Sequence, residues 1–90
     1  MQMEIRKEIL DFAEEMEMVM RANDVEKGDS WRELPITFLN DKLMEEVNEY
    51  LDEVESVSAN DIRSVECIDI ANVAMMLWHR LTDNSDNQEG

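Results

Sequence analysis

Residues 67–78, CIDIANVAMMLW, are apolar at every position except Asp69 and Asn72. A helix built from such a segment is apolar on nearly all sides and must be surrounded. Ile62, Val73 and Leu77 share a face with Glu66, Cys67, Ala71, Ala74 and Trp78 lie to one side, and Ile68 and Met75 point the opposite way. The chain has 90 residues, near the lower limit for independent folding. Its own helices can hardly surround one of their number. The pattern therefore predicts that a second copy covers part of this helix in a symmetric dimer. The plain alternative is a monomer with a few exposed methionines.

The rest of the chain supplies two more helices. Ile5, Ile9, Phe12, Met16 and Val19 recur at alternating steps of four and three, which predicts a first helix over residues 3–23. NDVEKGDSWRELP breaks that pattern with Asn23, Gly28, Asp29, Ser30 and Pro35. A loop of about a dozen residues is long for a small helical domain, and long loops are often functional. Thr37 is a candidate N-cap for a second helix reaching about Glu55, with Leu39, Leu43, Val47, Tyr50 and Val54 as its stripe. Ser58 and Asp61 resemble a capping box for a third helix, from about Asn60 to Leu81. The expected fold is all-α, an antiparallel bundle of about three helices completed by dimerisation. One domain covers residues 1–81, and the polar tail 82–90 is expected to be disordered.

Composition narrows the function classes. Two glycines and one proline argue against a strand-and-turn-rich fold, while eight methionines and abundant Glu, Leu and Asp suit helices. A single cysteine rules out an intrachain disulfide framework and points to a reducing, cytoplasmic setting. The net charge of -15, with eight scattered Lys and Arg, excludes a basic nucleic-acid surface and disfavours anionic membranes. MQMEIRKEIL is amphipathic rather than a signal peptide, and no stretch of about 20 apolar residues is present to span a bilayer.

Asp69 and Asn72 now need a reason. Residues three apart are neighbours on a helix, so Glu66 and Asp69 are adjacent, with Asn72 one turn further on. The preceding helix carries Glu45, Glu46 and Glu49, and Glu46 and Glu49 repeat the three-residue spacing at the edge of the apolar stripe. If the two helices pack antiparallel, the acidic pairs face each other. Four carboxylates converging in a partly dry site must take up protons or cations. Hard oxygen donors suit Mg²⁺, Mn²⁺ or Ca²⁺ rather than Zn²⁺. Two divalent ions, typically about 3.5–4 Å apart, would balance four carboxylates. Iron carboxylate bundles use Glu-x-x-His motifs, and the single histidine, His79, is in none, which argues against redox iron. The plain readings are a solvated acidic face for Glu46 and Glu49, and a salt bridge from Asp69 to Arg63 or Lys42.

EEVNE, sixteen residues and then ECID resemble the signature E-E-x-x-E … E-x-x-D of the all-α nucleoside triphosphate pyrophosphohydrolases, in particular their MazG-like branch. KGDSWREL is similar to a Lys-Gly-Trp-containing loop of small MazG-like proteins, and DIANVAMML resembles their DVANFAMM run. The resemblance covers about residues 12–78. It implies Mg²⁺-dependent cleavage between the α and β phosphates of a nucleoside triphosphate, with Mn²⁺ as a second usable ion. It further implies that Glu46, Glu49, Glu66 and Asp69 are metal ligands. Glu45 would be a supporting acid or general base, acting with Glu46 in catalysis. Lys27, Trp31 and Asn72 would contact substrate, through a phosphate oxygen, a base or pocket closure, and a hydrogen bond respectively. The assembly would be a homodimer or a dimer of dimers. Family members often have a fourth helix, which here is either supplied by a partner chain or replaced by a more open pocket.

Each of these residues also has a simpler use. Lys27 suits a solvated loop lysine, Trp31 a loop anchor on the first helix, and Asn72 a bond to a carbonyl or to its symmetry mate. Cys67 fits as a small core residue, and His79 as a partner for the helix dipole. A different class of function fits the charge as well: a non-catalytic acidic helical module that binds a basic protein. A Ca²⁺ buffer is disfavoured because the D-x-D-x-D-G loop pattern is missing.

Overall fold

The computed structural model describes residues 3–53 and 59–83, the side chains of 59–63 excepted. It contains α1 (Lys7–Asp24), a 3-10 turn (Ser30–Arg32), α2 (Ile36–Asp52) and α3 (Ala59–Asp83), with no strand among the described residues. None of these helices is long and apolar enough to cross a membrane.

α1 starts at Lys7, four residues later than the stripe predicts, because nothing before it caps the helix. Arg6 is extended and donates no side-chain cap, and its carbonyl accepts from the Ile9 and Leu10 amides at 3.1 and 3.2 Å. The helix unwinds through a turn in which the Gly28 amide donates to the Asp24 carbonyl at 3.1 Å. Gly28 is the one described residue at positive φ, +52°. A Cβ there would meet the Asp24 carbonyl oxygen at 3.7 Å, an ordinary contact. The glycine is thus required by its dihedral rather than by space.

Thr37 is not the N-cap of α2. Pro35 is, with φ -61° and ψ 147°, and its carbonyl accepts from the amides of Phe38 (3.0 Å) and Leu39 (3.3 Å). The ring fixes φ near the helical value, so the helix starts directly after the proline and Thr37 falls inside the first turn. α2 ends at Asp52 instead of near Glu55. The Ser58–Asp61 capping box lies outside the described residues. α3 runs through Thr82 and Asp83, two residues of the expected tail; Thr82 Oγ1 donates to the Trp78 carbonyl at 2.8 Å. Residues 84–90 lie outside the described residues.

α1 and α2 both lie against α3. The main core cluster is Trp31, Leu39, Val73 and Leu77, bordered by partly buried Met20, Leu34, Ile36, Leu43, Met75 and Met76, and Ile68 is buried as well. Leu39, early in α2, meets Val73 and Leu77, late in α3, while Glu46 further along α2 meets Glu66 and Asp69 earlier in α3. That reversed order is an antiparallel pairing. Burying each Leu or Val stabilises the pairing by about 1.5–3 kcal/mol.

Cys67 does not join the core; it is exposed. Trp78 is 65% exposed, and Ala74 and Leu81 are exposed on the same side of α3. α1 contributes no buried residue: Ile9 and Phe12 are exposed and Met16 and Val19 half-buried. The side of α3 that carries Cys67, Ala74 and Trp78 is therefore exposed in the single chain.

Candidate functional site

The apolar seam between α2 and α3 places the acids. Leu39 and Glu46 are seven residues apart, two helical turns, so both face α3. Leu39 is 2% exposed, and Glu46, on the same face, is 7% exposed. On α3, Asp69 precedes buried Val73 by one turn and Glu66 precedes it by two. The contacts that bury leucine and valine therefore turn three carboxylates toward one another. One oxygen from each of Glu46, Glu66 and Asp69 lies within 4.8 Å of the other two.

Within this group, Glu46 Oε1 and Glu66 Oε1 are buried and have no hydrogen-bond partner. A buried acceptor without a donor costs about 1–3 kcal/mol, more when charged. Burial raises the Glu66 pKa, and the charges of Glu49, Asp69, Glu46 and Glu53 raise it further. Burial also raises the Asp69 pKa, helped by Glu46 and opposed by the ammonium groups of Lys42 and Lys27. Lys42 Nζ lies 3.2 Å from Glu46 Oε2 and 3.3 Å from Glu45 Oε1. Burial works against the Lys42 charge, but its hydrogen bonds to Glu46 and Glu45 prevail and its pKa is raised. Donor type and spacing both fit a hard divalent cation, whose oxygen ligands sit at about 2.0–2.6 Å.

The remaining expected residues divide into two groups. Glu45, Lys27, Trp31 and Asn72 line, with Glu46 and Asp69, a cavity of about 890 Å³ that extends to α1. Glu49 is exposed and stands outside the three-carboxylate group, acting on it through its charge on Glu66. Glu66 belongs to the group but does not line the cavity. The plain alternative for Asp69, a salt bridge to Lys42, is not formed, because Lys42 is engaged by the two glutamates on its own helix. The Arg63 side chain lies outside the described residues.

Asn72 is 4% exposed; its Nδ2 donates to the Met16 carbonyl at 3.4 Å, tying α3 to α1. Its Oδ1 is buried without a partner. Lys27 is exposed and makes no ion pair among the described residues. Trp31 is the loop anchor, buried in the core cluster and packed against α3. Its ring meets His79 in a T-shaped contact (centroids 5.7 Å, interplanar angle 76°), and the Arg32 guanidinium sits 4.6 Å from its centroid. These contacts occupy the indole, so it is not an open stacking platform, although its buried Nε1 still has no acceptor. His79 thus packs on the loop and approaches Arg32 Nη1 at 3.3 Å, a role beyond serving the helix dipole.

One residue escapes the sequence reading and a second, Lys42, has a different partner from the one it suggests. Arg80 Nη1 donates to the carbonyls of Trp31 (2.9 Å) and Leu34 (2.6 Å), holding the loop to α3. Its only signal was a cation in the last turn of a helix. Lys42 was considered for Asp69, yet its four-residue spacing from Glu46 was the stronger clue. Comparison with protein-family models, with curated proteins and with solved structures gave no match.

Proposed function

We propose that the chain is a MazG-like, divalent-metal-dependent nucleoside triphosphate pyrophosphohydrolase, converting a (d)NTP and water to (d)NMP and pyrophosphate. The observation that carries this reading is the meeting of Glu46, Glu66 and Asp69, two with orphaned buried oxygens, at the wall of a cavity lined by Lys27 and Asn72. The resemblance of Glu45, Glu46, Glu49, Glu66 and Asp69 to the family's acidic signature supports it, as does the all-helical architecture.

Glu46, Glu66 and Asp69 would hold Mg²⁺ or Mn²⁺, with exposed Glu49 completing the set from the solvent side. Such an ion supplies charge neutralisation for the triphosphate and makes water acidic enough to react at neutral pH. Glu45, which lines the cavity, would accept a proton from the attacking water once Lys42 releases it. The water oxygen attacks the α phosphorus, the bond to the α–β bridging oxygen breaks, and pyrophosphate departs. Lys27 offers its ammonium to a phosphate oxygen. Asn72 offers a carbonyl acceptor to the nucleoside, while the indole N–H of Trp31 offers a donor. The working form in this reading is a cytoplasmic homodimer or dimer of dimers.

A panel of dNTPs and NTPs with Mg²⁺, with products identified, tests the reading. Pyrophosphate and monophosphate are the expected products. Orthophosphate, or no turnover by folded protein at high concentration, overturns it. The acidic interaction module instead predicts a melting temperature indifferent to Mg²⁺, and identical behaviour of Asp69→Asn.

A further inference from the structure

Three carboxylates meet at the seam, Glu46, Glu66 and Asp69, with exposed Glu45 beside them, and among the described residues a single ammonium is ion-paired here, to Glu46 and Glu45. It belongs to Lys42, one turn before Glu46 on the same helix. Its side chain is 38% exposed, whereas the Glu46 side chain it neutralises is 9% exposed. The compensating charge therefore comes in from the solvent side on a flexible stem. Lys42 serves only Oε2 of Glu46; Oε1 stays buried and unpaired. Asn72 is 4% exposed and lines the same cavity, with its Oδ1 also unpaired. Lys42 thus neutralises one oxygen of Glu46 while buried acceptors of the site remain unfilled.

We propose that Lys42 is a resident counter-ion of the carboxylate group that competes with the divalent cation, and that cation binding releases its ammonium to the cavity as an anion contact beside Lys27. This rests on the metal-dependent reading above. Lys42 lines the cavity together with Lys27, so rotation of its stem keeps the ammonium in the site. The same charge stabilises the metal-free seam and opposes the cation by like-charge repulsion. A protein of net charge -15 gains from this arrangement a selective hold on a polyanion: the anion contact is available only after the cation has arrived.

Calorimetric titration of Mn²⁺ into the wild type, Lys42→Met, Lys42→Gln and Lys42→Arg tests this, alongside metal-free melting curves. Lys42→Met and Lys42→Gln should bind Mn²⁺ about five- to tenfold more tightly than the wild type, and Lys42→Arg should restore the wild-type affinity. Metal-free melting temperatures should fall in the neutral variants, and pyrophosphate should bind their Mn²⁺-loaded forms more weakly than the loaded wild type. If Lys42→Met does not fold, Lys42→Gln, which keeps a donor without the charge, decides. Wild type that binds Mn²⁺ with no tightening in the neutral variants overturns the counter-ion role and leaves the hydrolase reading standing. Binding by the neutral variants alone upholds the counter-ion role and removes the hydrolase reading. No binding by any form removes both.

Discussion

α1 and the α2–α3 seam draw on similar residue types and end in opposite states. α1 has a regular stripe of isoleucine, phenylalanine, methionine and valine, yet buries none of its 18 residues. The seam buries Leu39, Val73 and Leu77 and takes Glu46 and Asn72 out of water with them. Stability alone would favour the reverse, with the apolar stripe covered and the carboxylates solvated. Each region thus has a requirement that the single chain does not meet. At the seam the unmet need is for positive charge and hydrogen-bond donors, which suits a cation and a small ligand. On α1 it is for apolar cover, which suits a larger surface.

The contrast can be broken or sharpened by substitution. Trp31→Ala removes the largest side chain of the core and the anchor of the loop, and should cost about 3–5 kcal/mol by urea unfolding. A much smaller loss would mean that the loop does not depend on the seam. Asp69→Asn should lower pyrophosphate release by at least about 100-fold while leaving metal-free melting unchanged or higher, since it removes a charge from a repelling group without breaking an ion pair. A variant that lost both activity and stability would make the acids structural. Phe12→Ala on α1 should cost only about 1 kcal/mol in the monomer, because the ring is already 41% exposed. A larger cost that grows with protein concentration would show that another copy covers α1.

The smallest effect is in pH. The native pKa of Asp69 is raised, so its contribution to stability is fully present below the ordinary carboxylate range and is lost as pH rises through the raised value. Metal-free wild type and Asp69→Asn should therefore melt together at low pH and separate as pH increases, with the asparagine variant higher. Saturating Mg²⁺ should cancel or reverse the gap. A gap that opens toward low pH instead would mean that Asp69 is stabilised as the charged form.

Local periodicity made the three helices legible, along with the pairing of Glu66 with Asp69 and the register that aims Glu46 at α3. At the start of α2 two rules compete, and the fixed backbone of Pro35 prevails over the side-chain cap offered by Thr37. Contacts far apart in sequence were not legible. Trp31 meets His79 and Arg80 across nearly fifty residues, and Asn72 meets Met16 across 56. No spacing rule covers such distances. Cys67 shows the limit of hydropathy: its residue type suits a core, but its place on α3 faces outward.

Arg80 has a mechanical consequence. The helix that carries Glu66 and Asp69 also grips the loop bearing Trp31, through one guanidinium nitrogen shared by two carbonyls. Two walls of the cavity therefore travel on a single beam. A tilt of α3 would change its gap to α2 while carrying indole and aspartate along together, so breathing of the site alters its width before it alters the spacing of the groups on that beam.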